Sequence, residues 1–371
     1  MRLDTKLRVD QWITMHPSGS SRLVAKRTAL FAVERAQGGW PGYLWRVQFS
    51  EQELEVLAEY RPASAMRWLE PKGNVCVLAV VDHGQRPAMG EVRFCRSDQG
   101  AVALQDACRL ARGATIRNAV LGLKNAGAAA VVLADPALEH EVALALLRER
   151  LAEAEIRVVA GLGLSDAASS LGTDVAPAAP EDLLRLRGEV LDRCLQSLLS
   201  LDAQCTATIV DCGPVGRDAA RLLVQRDVKV QVWDQDHARA SAVATEIGAV
   251  ASRTPWADAE VDLRVPCGHE PLIDSAVSER LRAKIVCGLA PRVFVDNAAR
   301  SAAEARGVRV VPELLAALAE PLALAVAGDL LSEAVALTSI ADTARGILAS
   351  PHGAHERTVS VAIARSKAAA P

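Results

Sequence analysis

The stretch Ile209–Asp236 reads IVDCGPVGRDAARLLVQRDVKVQVWDQD, and its reading decides the fold of the second half of the chain. An apolar run ends at Asp211, a turn carries Gly213 and Gly216, and an amphipathic helix starts at Pro214, a residue suited to the first helical position. A second apolar run, VKVQVWD, closes on Asp234. Strand, glycine turn, helix and strand at this spacing predict a βαβ unit of the dinucleotide-binding type. The fingerprint G-x-G-x-x-G falls on Asp211, Gly213 and Gly216, so an aspartate stands where the first glycine belongs. The three glycines normally supply a tight turn, close backbone approach to a pyrophosphate, and helix–strand packing. A carboxylate at the first position crowds the turn and repels a phosphate about 4 Å away by about 1–4 kcal/mol, depending on screening. The candidate cofactor residues are Asp211, Gly213, Pro214, Val215, Gly216 and Asp234, the last placed to hold ribose hydroxyls and favour NAD over NADP. The same residues also fit a Rossmann-like turn that holds no dinucleotide. No GK[ST] follows the turn, so it is not a P-loop.

Working outward, ATIVDC, VKVQVWD, VDLRVP, AKIVCG and VRVVPE alternate with helical segments, the pattern of a doubly wound parallel sheet. Before them, VCVLAVVD, AAAVVLAD and IRVVAGLG read as buried strands. The segments DQGAVALQDACRLARGATIRNAVLGL and PALEHEVALALLRERLAEAE read as helices. The expected fold is α/β with two domains and a cleft between them. The expected divisions are an N-terminal extension over 1–50, a substrate-type domain over 51–185, a Rossmann-like domain over 186–325, and C-terminal helices over 326–371 that return to the first domain.

Composition narrows the classes. Of the 371 residues 50% are hydrophobic and 23% charged, the balance of a soluble globular protein, and the formal net charge is −3. That charge gives no general attraction to nucleic acid or to an anionic membrane. No apolar run reaches the roughly 18–20 residues of a membrane span; the best, near Leu314–Gly328, is broken by Glu320 and Pro321. The N-terminus lacks the apolar core of a secretory signal. Eight cysteines occur without a CxxC pair, which predicts buried thiols in a reducing cytoplasm. His352 and His355 lack neighbours for a metal site, and no metal is expected.

The segments RPAMGEVRF, DACRLARGATIRNAVLGL, AAAVVLADP, the Rossmann stretch and DLRVPCGHEPLIDSAVSERLRAKIVCGLA resemble, in their joint order and spacing, the Glu/Leu/Phe/Val dehydrogenase family. The resemblance runs from about Asn74 to about Arg345 and is nearest the leucine and phenylalanine branch. It implies a substrate domain followed by a nucleotide domain, reversible oxidative deamination of an L-amino acid with a nicotinamide cofactor, and an oligomer. It also implies a lysine for the substrate carboxylate, a second lysine of lowered pKa for acid/base work, and an assisting aspartate.

In this sequence the carboxylate-binding lysine falls on Arg117, which keeps the charge in a longer, planar form. The acid/base lysine falls on Ala129. The aspartate position falls on Gly161 or Leu162, with Asp166 out of register. A pocket glycine becomes Glu91, beside a retained Arg93. Cofactor-facing asparagines become Pro291 and Arg292, and a second pocket glycine becomes Glu320. The expected reading is therefore a catalytically degenerate homologue, a pseudoenzyme whose Glu91 and Glu320 either line a new polar site or pair with Arg117. It is expected to assemble with itself, a paralogue or a pathway enzyme. An active NAD(P)-dependent oxidoreductase remains an alternative, its acid/base chemistry relocated to Arg117, Glu91, Glu320, Lys124 or His83. So does a sensor holding a small carboxylate on Arg93 and Arg117, with Glu91 a further candidate for substrate binding.

Overall fold

The computed structural model describes residues 31–34, 45–69, 75–95, 100–133, 140–160, 175–268, 272–289, 292–349 and 353–368. Most of the extension read over 1–50, and Gly161, Leu162, Asp166, Pro291 and His352, lie outside the described residues. The chain divides into two compact units, residues 1–118 with 124–179, and residues 119–123 with 180–371.

In the first unit β1 (Phe31–Glu34) and β2 (Trp45–Gln48) pair antiparallel. Helix α1 (Glu51–Tyr60) opens with a capping box: Ser50 Oγ accepts from the Glu53 amide, and Glu53 Oε2 accepts from the Ser50 amide. A mixed five-stranded sheet follows. It is built from β3 (Ser64–Leu69), β4 (Cys76–Val81), β5 (Gln85–Cys95), β6 (Asn125–Leu133) and β7 (Ile156–Ala160), in the order β3-β4-β6-β5-β7. Helix α2 (Gly100–Val120) joins β5 to β6, and α3 (His140–Glu153) joins β6 to β7.

Central strand β6 is buried on both faces, which explains its continuous apolar run. Ala129 and Val131 pack with Ala107 and Ala111 of α2. Ala128, Ala130 and Val132 pack with Leu147 and Leu151 of α3. Small residues let α2 come close: a Cβ on Gly127 would lie 2.0 Å from the Ala111 carbonyl oxygen.

The second unit begins with α4 (Pro180–Leu195), so the boundary read at 185/186 falls inside a helix that the structure keeps whole. Its sheet comprises β8 (Thr206–Val210), β9 (Lys229–Trp233), β10 (Val250–Ala251), β11 (Val261–Pro266), β12 (Ala283–Cys287) and β13 (Arg309–Val311). All pairs are parallel and the order is β10-β9-β8-β11-β12-β13. Counted from β8, this is the 3-2-1-4-5-6 order of a dinucleotide fold, with the reversal between β8 and β11. Helices α5 (Pro214–Gln225), α6 (His237–Ile247), α7 (Ser275–Arg280) and α8 (Asn297–Ala305) connect its strands. Asp236, Asp274 and Asp296 cap the last three through backbone amides.

Four further helices complete the unit: α9 (Glu313–Ala316), α10 (Ala319–Ala327), α11 (Glu333–Leu348) and α12 (Ala354–Ala368). Helix α4 packs against α5, α10 and α11. No helix among the described residues is long and apolar enough to cross a membrane.

Candidate functional site

Four of the residues nominated in the first unit, Glu91, Arg93, Arg117 and Ala129, lie on the face of the sheet covered by α2. Glu91 on β5 is the register partner of Ala129 on β6, so their side chains share that face. Ala129 is 0% exposed and sits in the apolar cluster with Leu78, Val80, Ala107 and Ala111. Arg117, near the C-terminal end of α2, donates to Glu91 Oε1 at 3.5 Å, and the two side chains are only 5% and 8% exposed. Gly90 stays a glycine because a Cβ there would lie 1.7 Å from the Ala128 carbonyl oxygen.

Arg93, on the same strand, pairs with Asp106 of α2. Both arginines expected to receive a small carboxylate already hold an internal one. Lys124 is exposed beyond the start of β6, contributing only its carbonyl to the Gln85 amide among these contacts. His83 lies in the exposed β4–β5 turn, its Nε2 3.2 Å from the Arg61 carbonyl oxygen.

Glu320 takes a different partner from the one expected. It sits on α10 and accepts from Arg187 Nε and Nη2 of α4 at 3.1 and 3.0 Å. The expected pairing of Glu320 with Arg117 is thus replaced by a helix–helix ion pair within the second unit. A shallow hollow of about 670 Å3 opens along α11, beside Asp342 and Arg365, and contains none of the nominated residues.

At the nucleotide turn, Asp211 adopts φ +76°, the left-handed conformation that the missing glycine would supply. Aspartate tolerates this region better than most side chains. Its carbonyl oxygen lies 1.9 Å from where a Cβ on Gly216 would stand, so Gly216 is required by the strand–helix contact itself. Its carboxylate folds back, and Oδ1 accepts from the Gly213 amide at 2.9 Å. The neighbouring Cys212 amide donates to Asp234 Oδ2 at 2.7 Å.

Asp234, with its side chain 1% exposed, also accepts from the Asp236 amide and from Arg239 Nε and Nη2, at 2.7, 2.8 and 2.7 Å. Burial pushes this carboxyl up, but the Arg239 guanidinium and the two amides outweigh it and hold the pKa below the ordinary 3.8. Asp234 was expected to be free for ribose hydroxyls; instead its two oxygens accept four hydrogen bonds from the chain itself. Burial raises the Cys212 thiol to about 12, so it stays protonated and inert.

The chain is 27% identical over 232 residues to an L-tryptophan dehydrogenase of Nostoc punctiforme, covering 58% of this chain and 65% of that protein. It is 26% identical over 246 residues to the leucine dehydrogenase of Geobacillus stearothermophilus, covering 59% and 65%. Each match thus spans somewhat less than two thirds of the relative. The crystal structure of L-tryptophan dehydrogenase from Nostoc punctiforme superposes with a TM-score of 0.65 at 18% identity, over 85% of this chain and 99% of that one. A hetero-hexameric glutamate dehydrogenase from Thermus thermophilus also gives 0.65, at 16% identity, over 86% and 92%. No family model matches the chain.

The chain is a distant homologue of the amino-acid dehydrogenases. The two-domain α/β fold read from the sequence is the fold of those enzymes.

Of the nominated residues, Glu91, Arg117 and Ala129 lie in the first unit, and the Asp211 turn with Asp234 lies in the second. Arg239, Asp106 and Arg187 were not singled out from sequence. Arg239 carried a signal, since it lies in the first turn of a helix five residues after Asp234. Arg187 carried none, because its partner is 133 residues away.

A dinucleotide places its pyrophosphate on the first amides after β8. Here the amides of Cys212 and Gly213 are engaged by carboxylates, and Pro214 has no N–H to offer. Gly213 and Gly216 are kept, while Asp211 stands at the first-glycine position and its carboxylate holds the Gly213 amide.

Proposed function

We propose that this chain is a catalytically silent homologue of the amino-acid dehydrogenases, acting as a non-deaminating subunit or binding partner in an oligomer of that fold. One observation carries the reading. The position at which the resemblance expects the acid/base lysine is a fully buried alanine, and its register neighbour Glu91 is ion-paired to Arg117. Deamination needs a group that takes and returns a proton at the substrate amine, and losing a general acid/base typically costs about 10²–10⁴-fold in rate. Arg117 cannot replace it, because a guanidinium stays protonated and here already has an internal carboxylate.

The subunit role is supported by the likeness to a glutamate dehydrogenase described as hetero-hexameric, an assembly containing more than one kind of chain. A cytoplasmic setting is supported by the free, buried cysteines, among them Cys194, whose thiol burial lifts to about 12.

The test is an assay of the purified chain for NAD- and NADP-linked oxidation of Leu, Val, Phe, Trp and Glu. No turnover above a protein-free blank is expected. Robust turnover that disappears in Glu91→Gln would sink this reading in favour of an oxidoreductase with relocated acid/base groups.

A further inference from the structure

We infer that the Asp211 carboxylate is a built-in occupant of the pyrophosphate position and keeps nicotinamide dinucleotides out of this fold. In an open parallel sheet the ligand crevice lies beyond the carboxyl ends of the strands where the order reverses. That point falls between β8 and β11. Asp211 is the first residue after β8, and Gly268 is the second after β11. The aspartate side chain lies between these two segments. Its Oδ1 takes the Gly213 amide at 2.9 Å, and its Oδ2 is 3.1 Å from where a Cβ on Gly268 would stand.

Charge and donor supply point the same way. A pyrophosphate brings negative oxygens that need N–H groups, yet Asp211, Asp234 and Asp236 all face amides at this end of the sheet. Asp236 Oδ1 takes the amides of Ala238 and Arg239, at 3.0 and 3.2 Å. The guanidinium of Arg239 is itself bound bidentately to Asp234. An incoming dinucleotide would have to expel one carboxylate from its amide while remaining beside it, with no unengaged donor from Cys212, Gly213 or Pro214 in return.

The turn retains its shape without this side chain. Asp211 has φ +76°, which glycine adopts freely, and the packing of Gly216 involves only the Asp211 carbonyl. Asp211→Gly should therefore fold and open the position. This inference rests on the second unit alone and not on the deamination reading. Binding is measured without turnover, so the inference can fail while the deamination reading stands, whereas NAD(P)-linked turnover would overturn both.

The experiment titrates NADH and NADPH into the full chain, followed by energy transfer from tryptophan and by calorimetry. Wild type is expected to show no saturable binding up to millimolar ligand. Asp211→Gly is expected to bind saturably, at least about tenfold more tightly, with a Tm no lower than wild type. Asp211→Asn keeps an oxygen on the Gly213 amide but loses the charge, and is expected to fall between the two. Micromolar binding by wild type overturns the inference, as does a folded Gly variant with no gain. Should the Gly variant fail to fold, an Asn variant no tighter than wild type overturns it as well.

Discussion

Removing either member of the Glu91–Arg117 pair strands the other charge among apolar neighbours, and such a loss typically costs about 3–5 kcal/mol. Glu91→Leu and Arg117→Met are each expected to fall in that range. The double change Glu91→Leu with Arg117→Met, which fills the volume with apolar atoms, is expected to cost far less than the sum. Urea unfolding of the four proteins closes the cycle, and additive single effects would show that the two charges do not depend on each other. At this scale the sequence was informative about positions and silent about partners. Asp211 stands out because it breaks the glycine pattern of its turn, and Ala129 only because the family resemblance places a lysine there. That Glu320 turns to Arg187 depends on which helix faces lie together, and no spacing rule within one segment carries that information, whereas Arg239 lies only five residues beyond Asp234.

Helix α2 lies so close to β6 that the elements share backbone contacts. A Cβ on Gly127 would meet the Ala111 carbonyl at 2.0 Å and the Thr115 amide nitrogen at 2.2 Å, and the Gly127 amide donates to Thr115 Oγ1 at 3.0 Å. Neither backbone atom can swing aside, so Gly127→Ala must lift the helix. The expected cost is about 1–3 kcal/mol, read as a lower urea midpoint with an unchanged slope. An unaltered midpoint would show that α2 is not held at this distance. Element legibility followed burial. Strand β6 was readable because both of its faces are covered, giving an unbroken apolar run. Strand β5 was not, because Pro87, Gly90, Glu91 and Arg93 interrupt its pattern, and the last two are satisfied only by α2. The capping box of α1 was present as Ser50 and Glu53 but lay at the edge of a region with little other pattern. Two-residue β10 is too short to carry a period.

At the scale of the whole molecule, acid sensitivity concentrates in the second unit, where the direction of each shift fixes its sign. Arg185 holds Glu333 below its ordinary 4.5, and Lys284, with the Thr206 amide and hydroxyl, holds Asp262 below 3.8 despite burial. Asp234 is held down likewise, the effect of its burial outweighed by Arg239 and two amides. A carboxyl depressed in the folded state contributes stability that is complete above its unfolded pKa, about 4, and is lost as pH falls through the folded value. His355, on α12, is also depressed, first by burial and then by the nearby Arg300 charge, which outweigh Glu313 and Glu356. The unfolded imidazole therefore takes up its proton first, and stability begins to fall once pH drops below about 6.5. The second unit should accordingly be most stable near and above pH 7, weaken in a first step below about 6.5, and weaken again below about 4. Hydrogen exchange of peptides from β8, β9 and β11, followed from pH 7.5 to 3 after correction for intrinsic rates, reads this directly. His355→Gln is expected to flatten the upper step and leave the lower one, while Asp234→Asn shrinks the lower step and lowers stability at neutral pH. An upper step that survives His355→Gln unchanged would move its origin to another group. Exchange that slows on acidification would reverse the sign and remove these ion pairs as its cause.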